Sequence, residues 1–124
     1  MRAESIPSPD ELNRASELAC ERSKNLEKVR HAILLKFESC FEFFDFYILD
    51  QIDVSFRAYI FYKSNSDIKV YFDNGRTKMI MESVYEELER FGRGNRSNIT
   101  VAFEIDSDEN VHENYEGDYY LRLL

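Results

Sequence analysis

A largely apolar stripe at steps of three and four, Leu12, Ala15, Ala19, Ser23, Leu26, Val29, Ile33 and Phe37, constrains this chain more than any other feature. That spacing returns every side chain to one face of a 3.6-residue helix, whereas a strand would alternate. The stripe is preceded by Ser8-Pro9-Asp10-Glu11, which has the chemistry of a helix start. The serine hydroxyl can cap an orphan amide, proline suits the first helical position, and Glu11 can complete a capping box. A long amphipathic helix from Pro9 to Phe37 is therefore expected after a flexible lead over residues 1–8. Glu21, Lys24, Glu27, Lys28 and Arg30 fall on its other, solvated face.

Beyond Glu38 the helical period fades and aromatic and β-branched residues dominate, types that suit a pleated, half-buried surface. Phe43 to Leu49 reads as a strand or as a prolongation of the helix. Ser55 to Lys63 reads as a second strand, and Ile68 to Phe72 as a third, reached through a polar turn at Ser64-Asn65-Ser66-Asp67. After Asp73-Asn74-Gly75, Ile80, Val84, Leu88 and Phe91 recur at helical steps, with Gly92 placed to end that helix. Asn-Gly is also a hairpin signal, which would make Arg76 to Met81 a strand instead. Ile99 to Ile105 alternates as a strand, turns at Asp106 to Asn110, and Val111 to Leu123 is expected to return as its antiparallel partner. Tight turns rather than crossovers within each group imply an α+β fold: an antiparallel sheet of about five strands packed against the long N-terminal helix and a second, shorter one.

At 124 residues, a single α+β domain over residues 9–124 is expected, large enough to bury a core without disulfides or metals. Cys20 and Cys40, placed on one helix about 30 Å apart, could not pair, which suits a reducing, cytoplasmic setting. No apolar run approaches the roughly 18 residues of a membrane span, and none follows Arg2, so neither a span nor a signal peptide is expected. The net charge of −8 is unevenly placed. Residues 1–98 hold 17 acids and 15 bases, whereas residues 99–124 hold 7 acids against Arg122 alone. Such a field repels nucleic acid and either steers a basic protein or solvates an exposed sheet face.

The sequence offers little for catalysis. His31 and His112 stand in no metal-binding spacing, and the four glycines form no phosphate loop. Asp106, Asp108 and Asn110 begin like a calcium loop, but Val111 stands where its glycine should be and Gly117 where its bidentate glutamate should be. Arg90, Arg93 and Arg96 form the compact basic cluster, expected to balance neighbouring carboxylates. Neither a cofactor nor a metal is expected.

From Ser55 to Tyr120 the order of features resembles the YezG-like immunity proteins of bacterial polymorphic toxin systems. The resemblance is carried by Ala58-Tyr59-Ile60-Phe61-Tyr62, by Tyr85-Glu86-Glu87-Leu88-Glu89-Arg90-Phe91, and by Asn98 through Ser107 with Tyr115 and Tyr119. It implies a small cytoplasmic protein that is not an enzyme and that blocks a cognate toxin domain, often a nuclease. On that expectation Asp106, Asp108, Glu109, Glu113, Glu116 and Asp118 steer a basic partner, and Tyr115 and Tyr119 anchor it. The rival expectation is a homo-oligomeric structural or adaptor module using the long helix, and a homodimer is compatible with either.

Overall fold

The computed structural model describes residues 25–124. The expected helix start at Ser8-Pro9, the first half of the apolar stripe and Cys20 lie outside the described residues. Within them, helix α1 (25–37) ends where its stripe ends, with Val29, Ile33 and Phe37 buried and His31 exposed. Cys40 follows in the turn after α1, exposed and unpaired.

Residues 43–50 are strand rather than prolonged helix: β1 (Phe43–Asp50) pairs antiparallel with β2 (Ser55–Tyr62), Phe46 opposite Ile60 and Ile48 opposite Ala58. Two helices follow, α2 (Asn65–Asp73) and α3 (Arg76–Arg90), before β3 (Thr100–Ser107). β3 lies on the other side of β2 and runs parallel to it, Ala58 opposite Phe103. The chain closes with α4 (Asp108–Asn114) and α5 (Tyr119–Leu123).

Three expectations are corrected here. Ile68 to Phe72 is not a strand: the polar tetrapeptide before it caps a helix, the Asp67 carboxylate accepting from the Ser64 amide at 3.1 Å. Val111 to Leu123 is not the partner of β3, because Ser107 likewise caps α4, its hydroxyl accepting from the Asn110 amide at 3.0 Å. Among the described residues the sheet consequently has three strands, not about five, in the order β1-β2-β3, and it is mixed because α2 and α3 supply the crossover that a parallel pair requires. The Asn-Gly step joins two helices rather than two strands, with Gly75 at φ 84° leading into α3.

The sheet is covered on both faces. One face carries the main core, where Phe46, Ile48, Phe56, Ala58, Ile60 and Tyr62 meet Val29, Ile33 and Phe37 of α1 and Ile80, Val84 and Leu88 of α3. The buried Tyr62 hydroxyl hydrogen-bonds Thr77 at 2.6 Å, so that face is polar-satisfied as well as apolar. The other face is smaller, built on Tyr59 and Phe61 and closed by Val111, Tyr115, Tyr119 and Leu123. β2 therefore has side chains buried in both directions, and the C-terminal segment is a lid on the sheet. Among the described residues no helix is long and apolar enough to cross a membrane.

Candidate functional site

Arg122 ties the acidic C-terminal segment to β3. Arg122 donates through Nε to Asp106 at 2.5 Å and through a terminal nitrogen to Glu104 at 3.2 Å, while its guanidinium lies 5.5 Å from the Tyr59 ring and 5.7 Å from that of Tyr115. Asp106 also accepts from Asn110 Nδ2 at 3.0 Å and from the Ser107 amide at 2.8 Å. Burial by itself disfavours the charged guanidinium, but the hydrogen bonds and charges of Asp106 and Glu104 outweigh it and hold the Arg122 pKa above its ordinary value. Asp106 is thus spent inside the fold.

The other expected steering acids divide into two groups. Asp108 accepts from the Tyr119 hydroxyl at 2.5 Å and lies 3.4 Å from His112 Nε2. Glu109 caps α2 by accepting from the Asn65 amide at 2.8 Å, and Asp118 caps α5 by accepting from Tyr120 and Leu121 amides at 2.9 and 3.2 Å. Glu113 and Glu116 are exposed and make no side-chain hydrogen bond or ion pair with any described residue. Capping retains the charge in the local field but fixes the carboxylate. Of the six expected steering acids, Glu113 and Glu116 are the two left uncommitted among the described residues.

Tyr115 and Tyr119 belong to the fold. Tyr119 packs edge-on against Phe61 at 4.9 Å, tilts over Tyr47 at 5.8 Å and stacks on Phe44 at 6.3 Å. Burial raises its phenol pKa well above the ordinary value, and the hydrogen bond to Asp108 adds to the rise. The aromatic and apolar groups this segment offers to solvent are instead Tyr120, 73% exposed, Leu121 and Leu124. Sequence reasoning passed over Tyr120 because a strand reading gives two adjacent tyrosines opposite faces without saying which is buried. A helical reading started by the Asp118 cap would have separated them.

The basic cluster is compensated. Arg93 is buried and grips both oxygens of Asp50 at 2.9 Å, Arg90 pairs with Glu87 at 2.9 Å, and Arg96 pairs with Glu82 while lying over the Tyr85 ring. An open trough of about 470 Å³ between α1 and the end of α3 is lined by Glu27, Lys28, His31, Leu35, Arg90 and Phe91. Among the described residues, no group of three or more His, Cys, Asp or Glu stands close enough to hold a metal ion. Compared with known proteins, the chain matches no family model, no curated protein and no solved structure.

Proposed function

We propose that this chain is an immunity protein, a cytoplasmic inhibitor without catalysis of its own, which binds a basic toxin domain of the nuclease kind and covers its substrate surface. One observation carries the reading: uncommitted acids, Glu113 and Glu116, and exposed apolar side chains, Tyr120, Leu121 and Leu124, share a C-terminal segment fixed to the sheet. Carboxylates placed where a nuclease holds phosphates oppose its substrate, and a rigid platform limits the entropy lost on binding. Tyr120 takes the anchoring role that the sequence reading gave to Tyr115 and Tyr119. Asp106, Asp108, Glu109 and Asp118 contribute field rather than contact.

The test is co-expression with the toxin domain encoded beside the gene, followed by binding kinetics. The chain is expected to restore growth. Glu113→Gln with Glu116→Gln should slow association, and Tyr120→Ala should speed dissociation by about tenfold or more, as truncating an interface hot spot does. Failure of the chain to bind or inhibit that domain would overturn the reading.

A further inference from the structure

The sheet has two edges, and they are finished differently. At the middle of β1 the outward backbone groups belong to Phe46, whose amide donates to its neighbour's Asp45 Oδ1 at 2.7 Å and whose carbonyl accepts from Arg30 Nε at 2.7 Å. The β1 register also slips between Phe43 and Asp45. A bulge and side chains bonded to the edge are devices that stop a further strand from adding.

Over β3 such a device stands, among the described residues, at the last position alone, where the Ser107 amide donates to Asp106 Oδ1 at 2.8 Å. The Thr100 amide donates to the Val54 carbonyl at 3.0 Å, and successive residues of a parallel strand direct their backbone groups to alternate sides. Thr100, Ala102, Glu104 and Asp106 therefore address β2, while Val101, Phe103 and Ile105 turn their N–H and C=O away from it. No described residue bonds to the backbone of those three. The strand, Thr100–Ser107, contains no proline, lysine or arginine. Between α2 and α3 lies an apolar groove of about 380 Å³, lined by Phe72, Met81 and Tyr85 with Asp73, Lys78 and Glu82, and the Tyr85 ring meets Phe103 of β3 edge-on at 6.0 Å.

We infer that this edge joins two copies of the chain, β3 pairing antiparallel with β3 about Phe103 to make one six-stranded sheet. The strand's own sequence selects the second copy as the occupant. A two-fold axis at Phe103 sets Phe103 against its counterpart and Val101 against Ile105, so every outward N–H and C=O of the three residues finds a partner. On the α3 face apolar side chains meet apolar ones. On the opposite face Glu104 meets Ala102 and Asp106 meets Thr100, so no acid directly opposes an acid. Moving the axis to Ile105 would instead set Glu104 against Asp106, crowding together carboxylates that already share Arg122 within each copy. The contact is separate from α1 and from the C-terminal segment, so it neither requires nor excludes toxin binding.

Ala102 is exposed and lies on the face where it would meet Glu104 of the other copy. Sedimentation equilibrium of the full chain, from micromolar to submillimolar concentration, is expected to show a monomer–dimer equilibrium. Ala102→Glu creates two like-charge pairs across the axis and should weaken the dimer roughly tenfold, whereas Ala102→Lys creates two attractive pairs and should strengthen it by a similar factor. A chain that stays monomeric throughout would overturn the inference and leave the edge to an extended segment of another protein. A dimer whose constant does not move in opposite directions in the two variants would overturn it too, and would place self-association on another surface such as α1.

Discussion

The hydroxyl of Tyr119 ties the last short helix to the first turn of α4, and its ring closes the smaller core. Three phenols share a consequence of such burial: Tyr119, Tyr62 and Tyr47 all have pKa values raised, first by desolvation, with Asp108 and Asp45 adding to the rise at Tyr119 and Tyr47. For Tyr62 the hydrogen bond with Thr77 opposes the rise without cancelling it. A raised folded-state pKa means that the native protein keeps a proton which the unfolded chain releases near pH 10. Their contribution to stability is therefore complete below about pH 10 and lost as pH climbs above it. Urea unfolding is expected to give a flat stability between neutrality and about pH 9, then a decline through the tyrosine range. Tyr119→Phe should cost about 1–2 kcal/mol at neutral pH, through the lost hydrogen bond to a carboxylate, and should make the alkaline decline shallower. An unaltered alkaline slope in that variant would show that the phenol is not protected in the way its neighbours suggest.

Between elements, Arg122 is the strut that fixes the C-terminal lid to β3, and its loss strands Asp106, of which 8% is exposed. Arg122→Met should destabilise the fold by about 2–3 kcal/mol, less than for a fully buried pair because some water reaches both partners. Adding Asp106→Asn should recover more than half of that by removing the unpaired charge, and additive losses in the double variant would refute the coupling. The helices and strands differed in how far the sequence disclosed them. Val29, Ile33 and Phe37, like Ile80, Val84 and Leu88, recur at helical steps over several turns, so α1 as described and α3 were legible, as was β2 from its aromatic run, while β1 stayed open between strand and prolonged helix. α2 was not: Ile68, Val70 and Phe72 alternate as in a strand, yet Ile68 and Tyr71 are the half-buried pair while Val70 and Phe72 face solvent. One cause underlies each misreading. Ser64 with Asp67, Ser107 with Asn110, and Asp118 with Tyr120 are helix caps, and short polar residues satisfy a helix start with the same chemistry that serves a turn. With α2 read as a strand following a turn, Ser55 to Lys63 gained a false antiparallel neighbour and the parallel pairing of β2 with β3 could not be foreseen. The candidate site suffered likewise: the acids can be counted in the sequence, but which carboxylates are spent on Arg122, on caps or on Tyr119 is decided by the fold.

At the scale of the whole molecule the charge is organised by compensation. Glu82 and Glu87 of α3 answer Arg96 and Arg90, Asp50 answers Arg93 and Asp45 answers Arg30, so much of the chain before β3 is locally balanced. Residues 99–124 have Arg122 alone against 7 acids, and fixing some of those carboxylates as caps leaves their charge in place. The excess negative field therefore originates at the C-terminal lid. A field of exposed charges acts over a Debye length, which contracts from about 30 Å at 0.01 M salt to about 8 Å at 0.15 M. Association with a basic toxin domain is expected to slow tenfold or more across that range, while dissociation, set by buried anchors, changes little. Glu113→Gln with Glu116→Gln should flatten the salt dependence. Glu27→Gln with Glu86→Gln, at exposed positions on α1 and α3, removes the same number of charges and should leave it nearly intact. Stopped-flow association measured for the three proteins at each salt concentration separates the two ways of losing charge. An on-rate indifferent to salt, or one equally sensitive to both pairs of substitutions, would mean that the acidic lid serves solubility and that the partner docks on another face.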